Sequence, residues 1–103
     1  MIKLLQLVSI SALVERSINL RDGSTKIIKF RTLEFTDGVD SIIGDTSERL
    51  TDQMETTNDQ VRLKLLEGHV YNVDFNIRVT EYEKDGKKSK FMNITINRVY
   101  CYL

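Results

Sequence analysis

The chain has 103 residues and no formal net charge at pH 7; 41% of its residues are apolar and 29% are charged. This length predicts one compact domain over residues 1–103, and this composition excludes a disordered chain. A lone cysteine, Cys101, excludes an intrachain disulfide, and with a lone histidine, His69, it excludes a Cys/His zinc site. We therefore predict no cofactor and expect a reducing, cytoplasmic location.

Charge is distributed unevenly along the chain. Residues 1–33 carry a net charge of +4, residues 34–67 carry −6 and residues 68–103 carry +2. Both ends are basic and the middle is acidic, so a polyanion would be attracted to the ends of the sequence and repelled by its middle.

The first half of the chain predicts three strands. Residues 2–20 are rich in Ile, Leu and Val and predict one long strand; the polar residues that interrupt this run argue against a secretory signal or a membrane span. "RDGST" is an Asp-Gly turn, and residues 26–35 are its predicted hairpin partner. A second Asp-Gly turn precedes a short apolar run, residues 39–43, which predicts the third strand.

The acidic middle predicts helix. Asp45 is followed three residues later by Glu48, as in a capping box, so we expect Asp45 to be the N-cap of a first helix. One or two helical pieces are expected in this region: the second would cover residues 58–68, because Val61 and Leu65 are four residues apart and Gly68 follows as a C′ glycine.

Two strands follow. Every second residue from Tyr71 to Val79 is apolar, which predicts a fourth strand with one buried face. Beyond the lysine-rich turn "KDGKKSK", Met92, Ile94 and Ile96 predict the buried face of a fifth strand. The alternation changes phase near Arg98, which predicts either a β-bulge or the end of the strand there.

This order of elements predicts a mainly β protein: a five-stranded antiparallel Greek-key barrel of the OB type, with a helix between strands three and four. The segment "LLEGHVYNVDFNIRVTEYEKDGKKSKFMNITINRV" resembles the last two strands of OB-fold single-stranded DNA-binding proteins from bacteria, phages and plasmids, and "SINLRDGSTKIIKFRTLEF" resembles their first hairpin and second strand. The chain departs from that family in having no tryptophan and in ending at "RVYCYL" without an acidic tail. The resemblance therefore implies a minimal core that acts in DNA replication.

Binding of a single strand requires cations for the phosphates and exposed rings for the bases. The alternation places Tyr71 and Phe75 on the buried face of the fourth strand. The parity of the second strand stays open, so either Phe30 or Phe35 is exposed, and we select Phe35. The candidate binding residues are Lys29, Arg31, Phe35, Arg78, Tyr82, Lys84, Lys87, Lys88, Lys90 and Phe91.

These residues indicate a non-catalytic protein that binds single-stranded DNA or RNA as a homo-oligomer. No catalytic motif occurs, so an enzyme is not expected. A lysine-rich hairpin tip is also ordinary for a solvent-facing turn. The alternative is an OB-like or β-sandwich interaction module that binds a protein partner through its acidic segment, residues 45–59.

Overall fold

The computed structural model describes residues 1–101 and shows a mainly β protein with one short helix. In chain order the elements are β1 (Ile2–Ile10), β2 (Val14–Asn19), β3 (Thr25–Phe30), β4 (Thr32–Thr36), β5 (Ser41–Thr46), α1 (Glu48–Glu55), β6 (Val70–Lys84) and β7 (Lys87–Cys101). None of the helices in this described range has the length and apolarity to cross a membrane.

Five strands form a mixed sheet in the order β1-β4-β5-β7-β6. The last strand in this order, β6, also pairs with the first, β1. Four of these pairings are antiparallel. The fifth, between β5 and β7, is parallel and joins Asp45 to Thr95 and Thr46 to Ile96. The prediction of an entirely antiparallel sheet is therefore wrong. The chain reverses at the β6–β7 turn, and β7 then lies beside β5 and runs in the same direction.

Two pairs of strands extend beyond this sheet as ribbons. β2 and β3 pair only with each other, and β6 and β7 continue as a two-stranded ribbon after β6 has left β1 at Asp74. The molecule measures 49 × 36 × 21 Å, and its radius of gyration is 15.8 Å. A compact chain of this length would have a radius of about 13 Å. The ribbons account for the elongated shape.

The core lies between the inward faces of the five strands and one face of α1. Its members share nearly complete burial: Leu5, Leu7, Leu33, Phe35, Leu50, Met54, Tyr71, Val73, Phe75, Ile96 and Val99. The predicted burial of Tyr71 and Phe75 is confirmed.

The first two predicted strands are each interrupted, at Ser11–Leu13 and at Arg31. At the first break, Ser11 bonds to Thr32 through both its backbone N–H and its hydroxyl. At the second, the Arg31 N–H donates to the hydroxyl of Thr46, and the Thr46 N–H donates to the Arg31 carbonyl. These bonds satisfy the backbone where the chain leaves the sheet, so no hairpin pairing continues through the breaks.

The third strand and the helix begin later than predicted. β5 covers Ser41–Thr46, so Asp45 is a strand residue and the prediction that it caps the helix is wrong. Ser47 is the N-cap instead: its hydroxyl accepts a hydrogen bond of 3.2 Å from the Leu50 N–H. Ser47 also satisfies the preference for a short polar side chain at this position.

The second predicted helix is absent, since residues 58–68 contain only turns and irregular backbone. Val61 is exposed, whereas Leu63 and Leu65 both pack against the core. Burial of residues two apart requires extended backbone, whereas the predicted helix needed Val61 and Leu65 on one buried face. Gly68 does have a positive φ of 87°, but it ends this irregular segment and no helix.

The last two strands are confirmed, with a bulge at the predicted place. Asp74 pairs with Arg98 and Phe75 with Ile96, so Asn97 is the extra residue. The buried face stops earlier than predicted, because Ile77, Val79 and Met92 lie on the ribbon beyond the core and are exposed.

Candidate nucleic-acid interface

The β6–β7 ribbon closes through a two-residue turn, Asp85-Gly86. Lys84 pairs with Lys87 across it, and φ is positive at both turn residues, 54° and 76°. A type I′ turn requires positive φ at these two positions, and Asp-Gly is among the sequences that favour it. The turn therefore sets the register of the whole ribbon, and the register decides which side chains share a face.

One face of the ribbon, which we call the outer ribbon face, carries rings and cations together. Its rows, read from the pairings, are Asn76/Thr95, Arg78/Asn93, Thr80/Phe91, Tyr82/Ser89 and Lys84/Lys87. Tyr82 and Phe91 are each about half exposed and meet edge to face, with ring centroids 6.5 Å apart. Five of the ten predicted binding residues thus lie on this face: Arg78, Tyr82, Lys84, Lys87 and Phe91.

The other two lysines of the turn lie on the opposite face. Lys90 forms a salt bridge of 3.5 Å with Glu81, and Lys88 pairs with Glu83. Residues at odd and even positions of a strand point to opposite faces, so the four lysines cannot act as one cluster. The structure therefore places Lys88 and Lys90 on the opposite face of the ribbon from the rings of Tyr82 and Phe91.

The cations of the second predicted strand are engaged within the protein. Arg31 donates from Nε to Glu55 and from Nη1 to the Ser11 carbonyl. The hydrogen bond from Arg31 holds the pKa of Glu55 below its ordinary value. Lys29 lies 3.5 Å from Glu15 on β2 and keeps an exposed side chain. Arg31 is therefore a structural residue, whereas Lys29 remains accessible to a ligand.

Phe35 is fully buried, so its selection as an exposed stacking ring is wrong. The break at Arg31 interrupts the alternation, so the parity read along one continuous strand does not hold. Phe30, the other candidate, is half-buried and has the Arg16 guanidinium 5.6 Å from its ring centroid.

Phe30 lines a cleft of about 530 Å³, which we call the central cleft, between the β2–β3 ribbon and α1. A second cleft of about 440 Å³ contains Arg78 and runs along the outer ribbon face. Asp45 and Thr95 line both clefts, so the two clefts are adjacent.

The central cleft carries both positive and negative side chains, because it lies beside the acidic helix. It contains the cations Arg16 and Lys29, and four carboxylates: Glu15, Asp45, Glu48 and Asp52. Arg16 and Asp45 belong to this surface although neither was among the predicted binding residues, and Phe30 belongs to it as the alternative to Phe35. The Asp-Gly turn at residues 22–23 was the available signal, since the hairpin it predicts brings Arg16 close to Phe30.

Among the residues that the structure describes, no group of three or more His, Cys, Asp or Glu side chains is placed to hold a metal ion. Comparison of the chain with protein-family models, with curated proteins and with solved structures finds no significant match.

Proposed function

We propose that this protein is a non-catalytic single-stranded DNA-binding protein with an OB-type barrel. The observation that carries the proposal is the outer ribbon face, on which Arg78, Lys84 and Lys87 lie beside the rings of Tyr82 and Phe91. Cations that neutralise phosphates and rings that stack on bases are the two components of sequence-tolerant binding to single strands.

The strand order supports the OB-type part of the proposal. If β1 with β2 and β3 with β4 are each taken as one interrupted strand, five strands remain, with the helix between the third and the fourth. The return of β6 to β1 supports closure of the sheet. One ribbon offers few contacts, so the proposal includes cooperation between several copies of the chain along one strand.

The two faces of the ribbon provide a matched test. We compare Lys84→Gln/Lys87→Gln with Lys88→Gln/Lys90→Gln, which remove equal charge from the same turn. The affinity for fluorescent oligo-dT is measured by anisotropy over a range of salt concentrations. Each phosphate contact to a single strand contributes about −0.7 to the slope of log affinity against log salt. We expect the first variant to reduce the slope by about 1.4 and the second to leave it nearly unchanged.

Equal effects of the two variants would contradict the assignment of the outer ribbon face. Absence of binding by the wild-type protein at low salt, or binding that ignores salt, would contradict the function itself. A parallel titration with oligo-rU decides between DNA and RNA as the preferred strand.

A second candidate function has its own supporting observation: the carboxylates that line the central cleft continue onto the exposed side of α1. Such a surface is complementary to a basic protein segment. Charge reversal at Asp59, an exposed residue outside both clefts, would weaken this function and spare oligo-dT binding. The opposite result, loss on reversal of Lys84 and Lys87, supports DNA binding.

A further inference from the structure

The central cleft lies at the end of the outer ribbon face and carries the features of a base-binding site rather than a phosphate-binding one. Its lining includes the Phe30 ring and the apolar Ile27 and Ile28. Base stacking uses aromatic rings and the planes of arginine guanidinium groups, and Arg16 supplies such a plane beside Phe30.

The carboxylates of the cleft differ in what they already bind. Glu48 forms a salt bridge of 3.4 Å with Lys26, and Glu15 one of 3.5 Å with Lys29. Asp45 and Asp52 have no salt-bridge partner among the described residues. Asp45 is oriented by a hydrogen bond of 2.8 Å from the Thr32 hydroxyl to its Oδ1, which leaves Oδ2 free to accept another.

Phosphates directed at this part of the cleft would meet like charge, so a strand that continues from the outer ribbon face turns its bases toward Asp45 and Asp52. An ionised carboxylate only accepts hydrogen bonds. Cytosine offers the N4 amino group and adenine the N6 amino group. Thymine instead presents O4 as an acceptor, and its N3–H lies between two carbonyl oxygens that repel a carboxylate.

We infer that Asp45, with Asp52 as a second contact, makes this surface selective for bases that carry an exocyclic amino group, cytosine above thymine. This inference rests on the proposed function, because it concerns the bases of the strand that the outer ribbon face binds. Asp45 is a specificity-determining residue in this account, since it lines both clefts and its orientation is set by Thr32.

The test compares oligo-dC with oligo-dT of the same length by fluorescence anisotropy. We expect the wild-type protein to bind oligo-dC about tenfold more tightly, the low end of what one specific base contact supplies. Asp45→Asn keeps the shape of the side chain and an acceptor for Thr32, but it replaces a pure acceptor with a group that also donates. It should bring the ratio of the two affinities close to one, and Asp52→Asn should lower the ratio less.

Asp40→Asn is the matched control, because Asp40 is exposed and lies outside both clefts. A general charge effect would raise the affinity for both oligonucleotides by the same factor in every variant. Equal wild-type affinities, or a ratio that Asp45→Asn and Asp52→Asn leave unchanged, would overturn the inference while oligo-dT binding still supports the proposed function. If the wild-type protein binds neither oligonucleotide, the proposed function fails and the inference with it.

Discussion

Phe30 and Phe35 lie five residues apart, yet only Phe35 belongs to the core. Phe35 is fully buried among the inward side chains of the sheet, whereas Phe30 is half-buried at the central cleft. Burial on all sides means that truncation leaves a cavity, while truncation at a cleft removes contacts that solvent can replace. Phe35 therefore contributes to the stability of the fold, whereas Phe30 is available for binding at the cleft.

We predict that Phe35→Ala lowers the free energy of unfolding by about 3–5 kcal/mol, the range for truncation of a buried phenylalanine. Phe30→Ala should lower it less, by about 1–2 kcal/mol, since Phe30 is only partly buried and lines an open cleft. Urea denaturation followed by circular dichroism measures both values. A larger loss for Phe30→Ala than for Phe35→Ala would contradict the assignment of the two rings.

Glu55 connects the end of α1 to the break between β3 and β4. Its carboxylate accepts a hydrogen bond from Arg31, and the Arg31 guanidinium also donates to the Ser11 carbonyl at the break between β1 and β2. The hydrogen bond from Arg31 is the main cause of the lowered pKa of Glu55, and the charge of the same guanidinium lowers it further. One side-chain pair thus joins both interrupted strands to the helix.

The lowered pKa of Glu55 predicts how stability depends on pH. Ionised Glu55 stabilises the folded state fully above its unfolded-state pKa, about 4.5, and this contribution is lost as the pH falls through the lower folded-state pKa. Wild type and Glu55→Gln should therefore differ in urea midpoint by a constant amount from neutral pH down to about pH 5. The difference should then shrink in more acidic solution.

Glu67→Gln serves as the control for this pH series, because Glu67 is exposed and forms no salt bridge among the described residues. Its difference from wild type should stay small at every pH. A difference in urea midpoint between wild type and Glu55→Gln that grows on acidification would contradict a stabilising role of ionised Glu55 beside Arg31.

The ribbon and the five-stranded sheet use glycine for different purposes. Gly86 takes a positive φ of 76° in the turn of the β6–β7 ribbon, and a Cβ there would meet nothing within 4 Å. Gly44 lies in β5, where a Cβ would come within 2.8 Å of both the Cγ2 atom and the carbonyl oxygen of Ile94. The first glycine is required by backbone conformation and the second by the approach of β7 to β5.

We predict that Gly44→Ala lowers the free energy of unfolding by about 2 kcal/mol or more, because the added methyl group forces β5 and β7 apart. Gly86→Ala should cost less, about 1–2 kcal/mol, the penalty for a left-handed conformation in a non-glycine residue. Chemical denaturation gives the stability, and oligo-dT titration should show that Gly86→Ala weakens binding by disturbing the ribbon. The reverse order of the two stabilities would contradict the assigned roles.

The molecule as a whole combines a packed sheet with two ribbons that have little cover of their own. Isolated two-stranded hairpins are marginally stable in water, whereas the five-stranded sheet surrounds the core. Ile77, Val79 and Met92 on the inner side of the β6–β7 ribbon are 46%, 59% and 62% exposed, so the ribbon has little apolar burial to hold it in place. Its backbone should open without unfolding of the sheet.

Amide hydrogen exchange should separate these parts. We predict fast exchange in β2, β3 and the outer half of the β6–β7 ribbon, and slow exchange, limited by global unfolding, in β1, β4 and β5. Bound oligo-dT should slow exchange in the β6–β7 ribbon and leave β1 unchanged, which mass spectrometry of peptic fragments can measure. Equally slow exchange in ribbons and sheet would contradict this division of the molecule.

Local sequence signals were sufficient for some elements and insufficient for others. The alternation from Tyr71 to Val79 and the lysine-rich turn that follows predicted β6 and β7, because period and turn chemistry are local properties; their register came from the structure. The prediction of a helix over residues 58–68 was wrong, because burial of Leu63 and Leu65 against the core outweighed the helical spacing of Val61 and Leu65. Asp45 failed as an N-cap because β5 extends through it to pair with β7.

The sequence by itself determined a mainly β chain with helix in its acidic middle, a lysine-rich ribbon turn and a change of phase near Arg98, since each depends on neighbouring residues. Only the tertiary structure decided that β5 and β7 run parallel, that Phe35 is buried and Phe30 lines a cleft, and that Arg31 binds Glu55. It also placed Asp45 and Asp52 in the same cleft as Phe30. These contacts join residues far apart in the chain, and their formation depends on how whole strands pair, which no local pattern specifies.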